Sequence, residues 1–148
     1  MKKFLIVIYL FLLGCGYQPL YVNKEISKLT FNNIELTGDK KINNMIISSL
    51  AINKKIDNNL NNLFINSEEI ILETSRDSKG LVNTYKTNIK LSFVVKNKDQ
   101  ILMKREFNEN FSYNNKNNKF DLVEYQKQIK VMLVNKIIED LIIYISLK

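Results

Sequence analysis

The chain has 148 residues, 22 Lys+Arg against 15 Asp+Glu, and a formal net charge of +7. That length fits one domain, and 45% apolar with 25% charged residues is the composition of a folded chain, not a disordered one. One Cys and no His exclude an intramolecular disulfide, zinc sites built on four cysteines or on two cysteines and two histidines, and every Ser-His or Cys-His nucleophile pair. One Pro and no Trp argue against a collagen, a linker or a carbohydrate-stacking module. Ile, Asn and Lys are abundant, a bias that AT-rich coding DNA also produces.

Met1-Lys2-Lys3 makes a positive start, Phe4 to Leu13 is an unbroken apolar run, and Gly14-Cys15 follows. This is the order of a secretory signal peptide: n-region, h-region, small residue at the cut. The apolar run is 10 residues long, a helix of roughly 15 Å. That is about half of a ~30 Å hydrocarbon core, too short to span it. Leu12-Leu13-Gly14-Cys15 reads as a bacterial lipobox. Cleavage falls between Gly14 and Cys15, and the Cys15 thiol carries a covalent lipid. The competing reading is an apolar anchor helix with Cys15 buried. Two or three acyl chains anchor firmly where one holds weakly, each buried CH2 contributing about 0.8 kcal/mol. Residues 1–14 are then the signal peptide and residues 15–148 a single domain, with 15–28 as its anchor segment. The mature chain loses Lys2 and Lys3, and its formal charge falls to +5. Gly16 follows the Cys instead of Asp, which resembles the outer-membrane sorting class of lipoproteins, facing the periplasm.

Leu29 to Leu36 reads as a first strand whose apolar phase switches after Phe31. Thr37-Gly38-Asp39 is a turn signal with Asp39 placed to cap a helix. Lys40 to about Ile56 reads as an amphipathic helix on Ile42, Met45, Ile46 and Leu50, with Lys54 and Lys55 suiting the C-terminal dipole. Asp57 to Asn62 breaks the pattern as a loop. From Glu68 the period is two: Ile70, Leu72 and Thr74 alternate with Glu69, Glu73 and Ser75, Ile71 excepted. Asp77-Ser78-Lys79-Gly80 marks a hairpin. Val82 to Lys96 is a long strand with Tyr85, Thr87, Ile89, Leu91, Phe93 and Val95 on one face. After a turn at Asn97-Lys98-Asp99-Gln100, Ile101 to Tyr113 alternates again. Ile101, Met103, Phe107, Phe111 and Tyr113 share a face that Arg105 and Glu109 interrupt, and these two are expected to pair with each other near a sheet end. After a polar loop, Asp121 with Glu124 three residues on forms a variant capping box, Phe120 and Tyr125 a hydrophobic staple. The final helix, Leu122 to about Leu147, carries the stripe Leu122, Tyr125, Ile129, Met132, Leu133, Ile137, Leu141, Tyr144 and Ile145. The expected fold class is α+β, in the order β-α-β-β-β-α, with two helices packed on one face of a four-stranded, mainly antiparallel sheet. The other face, with Lys86, Lys90, Lys96 and Lys104 among Asn and Ser, is expected to be wet and basic.

The lipobox followed by Gly16-Tyr17-Gln18-Pro19-Leu20-Tyr21 resembles the start of the LPS-assembly lipoprotein family LptE, in its alphaproteobacterial form. The element order, the long hairpin from Val82 to Tyr113 and the terminal amphipathic helix resemble it as well. The resemblance implies a non-enzymatic lipoprotein at the inner leaflet of the outer membrane. It would plug the lumen of an LptD-like β-barrel, help that barrel fold, and bind lipopolysaccharide in transit to the cell surface. No cofactor is implied beyond the lipid on Cys15. The motif does not place individual lipopolysaccharide contacts. On charge, Arg76, Lys79, Lys86 and Lys90 are the candidates in the hairpin region, against the reading of them as an ordinary solvated strand face. A +5 domain attracts anionic glycolipid over about 8 Å at physiological salt.

Two other classes fit less well. An enzyme finds no nucleophile elbow, no Ser-x-x-Lys and no paired-carboxylate motif here. A nucleic-acid binder would explain the positive charge, but secretion removes nucleic acid from reach and acidic residues are interspersed with the Lys. A different outer-membrane accessory lipoprotein, from a barrel-assembly or lipid-transport machine, shares anchor, compartment and fold. The Gly16 to Tyr21 segment favours LptE over it.

Overall fold

The computed structural model describes residues 29–147. The expected signal peptide, Gly14, Cys15 and the expected anchor segment lie outside the described residues. The described chain runs β1 (Thr30–Phe31), β2 (Asn33–Gly38), α1 (Lys40–Ser49), β3 (Asn53–Lys54), β4 (Asn62–Arg76), β5 (Val82–Asn97), β6 (Gln100–Asn114) and α2 (Lys119–Ser146). The long strands form one sheet ordered β2-β4-β5-β6. β2 lies parallel to β4, which requires the α1 crossover between them, and the rest is an antiparallel meander. β1 and β3 make a separate two-stranded parallel ribbon.

Both helices cover one sheet face, as the alternation predicts. Ile42 and Ile46 of α1 and its C-cap Leu50 meet Leu63 and Ile65 of β4, Ile89, Leu91, Phe93 and Val95 of β5, Phe107 of β6, and Ile129, Leu133, Val134, Ile137, Ile138 and Leu141 of α2. All of these are buried, and burying one such side chain is worth about 1.5–3 kcal/mol. Polar groups inside the core find partners. The Ser67 hydroxyl donates to Asn43 Oδ1 (2.8 Å), and Asn43 Nδ2 donates to the Thr37 carbonyl (2.8 Å). The Thr87 and Tyr113 hydroxyls share a hydrogen bond at 3.0 Å.

Several local expectations shift. The phase switch in the first strand is a break at Asn32, where the chain passes from β1 to β2. α1 ends at Ser49, well before Ile56. Ala51 takes a left-handed φ of 48° and Ile52 N–H bonds to Ile47 C=O. The chain then pairs with β1 through Asn53 N–H to Leu29 C=O (2.8 Å) and Lys55 N–H to Phe31 C=O (2.9 Å), so Lys54 lies in β3 and not at a helix end. β4 starts at Asn62, and its helix-facing phase is Leu63, Ile65, Ser67 and Glu69, opposite to the Ile70-Leu72 phase. A register shift at Val95/Lys96 pairs Ile101 with Lys96, which moves Ile101 to the outer face. α2 is capped by Asn118, whose side chain accepts from Phe120 N–H, three residues ahead of Asp121. Phe120 forms no staple: it is exposed, and Tyr125 packs edge-on against Tyr113 at 5.7 Å. Met132 is likewise exposed, because the buried stripe runs through Ile129, Leu133 and Val134.

Candidate functional site

The face beneath α2 explains the two charges that interrupt β6. Glu69 of β4, Ile89 of β5 and Glu109 of β6 stand in one cross-strand row. Ile89 is fully buried under the helix, and the carboxylates flank it. Lys130 of α2 donates to Glu69 and to Asp39 (3.1 Å), and Lys136 donates to Glu109 (2.6 Å). The helix is thus gripped on both sides. Arg105 and Glu109 do not pair: four strand residues span about 13 Å. The Arg105 guanidinium instead lies 5.9 Å from the Phe107 ring centre and 5.8 Å from that of Tyr144.

Asp39 joins two elements. Its carboxylate accepts from the Lys41 and Ile42 amides (2.8 and 3.0 Å), capping α1, and from Lys130 of α2. Burial pushes its carboxyl up, but the Ile42 amide, the Lys130 ammonium and the Lys41 amide outweigh that and hold it below the usual range. Burial pushes Lys130 down, and Glu69 and Asp39 outweigh it, so its ammonium stays protonated above the ordinary lysine range. Lys136 is raised in the same direction by Glu109.

The sign of the pH dependence follows. Asp39, depressed in the fold, stabilises above its unfolded value of about 4, and that contribution is lost as pH falls through its lower folded value. Lys130, raised in the fold, stabilises fully below about 10.4 and loses this as pH rises through its folded value. Lys130→Met should lower stability by about 2 kcal/mol near neutral pH, since it leaves two half-buried carboxylates without their cation. Urea unfolding of both chains across pH checks this: the gap should be widest near neutrality and narrow below about pH 4.

The candidate basic residues divide into two groups. Lys86 and Lys90 share the outer face of β5, about 13 Å apart along the strand. Lys90 lies 3.7 Å from Glu68 of the paired strand, while Lys86 stands opposite Leu72 and Ser112. Arg76 and Lys79 belong to the β4–β5 hairpin tip, where Asp77 accepts from the Lys79 and Leu81 amides and Gly80 takes φ 80°. Arg76 is exposed and engaged by Glu73 and the Gly80 carbonyl. The structure therefore does not gather the four into one pocket. It adds two residues to the tip instead. Asn115 hydrogen-bonds to Asn83 and Val82, which brings Lys116 and Lys119 to the same end as Lys79. In the sequence Asn114 to Lys119 reads only as a polar loop; the signal in it is the pair Lys116 and Lys119, whose spatial neighbour cannot be read from spacing alone.

The outer face is mixed in sign. Lys104 lies 3.7 Å from Glu106, and Lys96 sits over the Phe64 ring at 4.8 Å. Among the described residues, no helix is long and apolar enough to cross a membrane.

No family model and no curated protein matches the chain. Solved structures do match its fold. The rare lipoprotein B from Shewanella oneidensis aligns at TM-score 0.60 and 11% identity, over 77% of this chain and 93% of that one. The lipoprotein B from Nitrosomonas europaea aligns at TM-score 0.56 and 10% identity, over 84% and 88%. A minor lipoprotein from Acinetobacter baumannii aligns at TM-score 0.50 and 12% identity, over 76% and 89%. At these identities the likeness is one of fold alone, a fold shared with these three bacterial lipoproteins.

Proposed function

We propose that the protein is an outer-membrane lipoprotein of LptE type, tethered through Cys15 on the periplasmic side. It plugs an LptD-like β-barrel, assists the assembly of that barrel and binds lipopolysaccharide during its transport. The observation that carries this reading is the coincidence of a lipobox at Leu12 to Cys15 with a domain whose fold matches bacterial lipoproteins over most of both chains.

The shape supports a plug. β5 has 16 residues and is about 50 Å long, more than a ~30 Å hydrocarbon core is thick. An elongated hairpin with a polar outer face of Asn66, Asn88, Ser92, Asn108 and Asn110 suits the polar interior of a large barrel. Lys79, Lys86, Lys116 and Lys119 are the cations best placed for glycolipid phosphates. The role requires binding and not catalysis.

Affinity purification of the full chain from its native membranes, in mild detergent, tests the plug. A β-barrel should co-purify in stoichiometric amount. Recovery of the lipoprotein alone, under conditions that keep known barrel complexes intact, would overturn the plug and favour another accessory lipoprotein.

A further inference from the structure

The last strand of the sheet has no neighbour on its outer side. We infer that, in the absence of a barrel, β6 pairs with β6 of a second copy of this chain, as an antiparallel seam about a two-fold axis through Phe107. On the plug reading a lumen takes one copy, so the pair precedes insertion and parts on it. The inference goes beyond that reading and does not depend on it.

Among the described residues β6 ends the sheet β2-β4-β5-β6. It has 15 residues, where an ordinary strand has about five or six. A long bare edge is a template for another strand. The direction of its backbone groups can be assigned. Asn115 N–H bonds to Asn83 C=O at 2.8 Å, in the register that pairs Thr84 with Asn114, so odd-numbered residues turn their groups toward β5. Even-numbered residues turn theirs to the open edge. In agreement, the Lys104 carbonyl is open to the Tyr144 hydroxyl at 3.2 Å, which leaves its second lone pair free.

A two-fold axis fixes the partner of every residue. With Phe107 on the axis, Arg105 faces Glu109 of the second copy, Met103 faces Phe111 and Phe107 faces itself, all on the helix-covered side. On the outer side Lys104 faces Asn110 and Glu106 faces Asn108. The edge-directed backbone groups of these even-numbered residues then bond across the seam. Arg105 gains what it lacks, since among the described residues it lies against the Phe107 and Tyr144 rings and has no carboxylate. Lys136 takes only Oε2 of Glu109. Shifting the axis by one residue sets Glu106 against Glu106, or Phe107 against Glu109. Shifting it by two sets Arg105 against Arg105, or Glu109 against Glu109. Charges ordinarily blunt an edge; here a single register opposes no like charges and matches apolar to apolar.

The seam runs from Met103 to Phe111, and beyond it the register shift at Val95/Lys96 turns Ile101 to the other face. It covers the exposed Phe111 and adjoins exposed Ile143, which shares a groove with Arg105 and Phe107. The other bare edge offers no such match. β2 covers β4 only from Asn62 to Ser67. Pairing the rest of β4 with itself about Ile71, the middle of its apolar run, opposes Glu69 to Glu73 and meets the register shifts after Glu73.

The test uses the full chain purified in mild detergent, free of any barrel. Phe107→Cys puts a thiol on the axis, where a non-hydrogen-bonded pair holds its Cα atoms about 4.5 Å apart, within disulfide reach. Under mild oxidation more than half should run as a linked dimer. The parent, whose one thiol is Cys15, should link to about a tenth or less. A second reporter guards against Phe107→Cys failing to fold. Arg105→Cys and Glu109→Cys chains should link when mixed and not singly, since like positions then lie about 13 Å apart. Arg105→Glu should weaken association about ten-fold or more in sedimentation equilibrium, and adding Glu109→Arg should restore it. A single-chain mass at every concentration overturns the pair. Linkage of the parent, or of Ile71→Cys, as strong as that of Phe107→Cys overturns the seam, and so does a dimer in which neither β6 reporter links. The barrel pull-down scores the plug separately. A chain that pairs but recovers no barrel removes the plug and leaves the pair, and one that recovers a barrel yet stays single when free does the reverse.

Discussion

Gly38→Ala should cost the domain on the order of 4 kcal/mol or more, while Gly80→Ala should cost about 1 kcal/mol. Both glycines have a left-handed φ, 84° and 80°. Around Gly80 the space is open, so alanine there bears the backbone penalty alone. At Gly38 an added Cβ would sit 1.8 Å from the Ser67 carbonyl oxygen, a backbone atom held by the sheet. That same oxygen accepts the Asp39 amide at 3.0 Å. Moving it apart would open the β2–β4 pairing and pull Asp39 from its place between α1 and Lys130. Total stability of a small domain is about 5–15 kcal/mol, so the loss should be visible as a large drop in urea midpoint. Equal losses at the two glycines would show that the close approach at Gly38 relaxes freely.

Cys15→Ala should abolish incorporation of labelled palmitate and leave a precursor with its leader attached. Cys15 is the one thiol in the chain, so no other residue can take its place. The effect should be all or nothing because a chain without this thiol has no site left for thioether acylation. Gel fluorography and intact mass of the two chains measure it. Label surviving the substitution, or a free thiol in a soluble mature chain, would remove the lipid tether and with it the outer-membrane assignment.

How far the residues alone reach is plain from particular elements. β5 was legible, since apolar and polar residues alternate from Tyr85 to Val95, Thr87 and Val94 excepted, and one face is buried. The Asp39 cap was legible because an N-cap bonds within its own turn. The end of α1 was not: Lys54 and Lys55 suit a helix terminus locally, and the chain stops instead at a left-handed Ala51 to reach a strand more than twenty residues away. The start of β4 was missed because Leu63 and Ile65 follow an Asn-rich loop and only their partners Val95 and Phe93 make them strand. Basic residues along the hairpin were visible as a set, but their division between outer face and tip depends on strand register.

The residues by themselves determined what is local: the alternation that buries one sheet face, the helix stripes and the α+β order. These depend on periods of two and 3.6 residues and on bonds within one turn. The tertiary structure decided what depends on separation in space. It turned Arg105 onto aromatic rings, gave Glu69 and Glu109 to two lysines of α2, and joined Asp39 to Lys130 across 91 positions of sequence. Charge pairing and exposure are properties of distance and not of order along the chain.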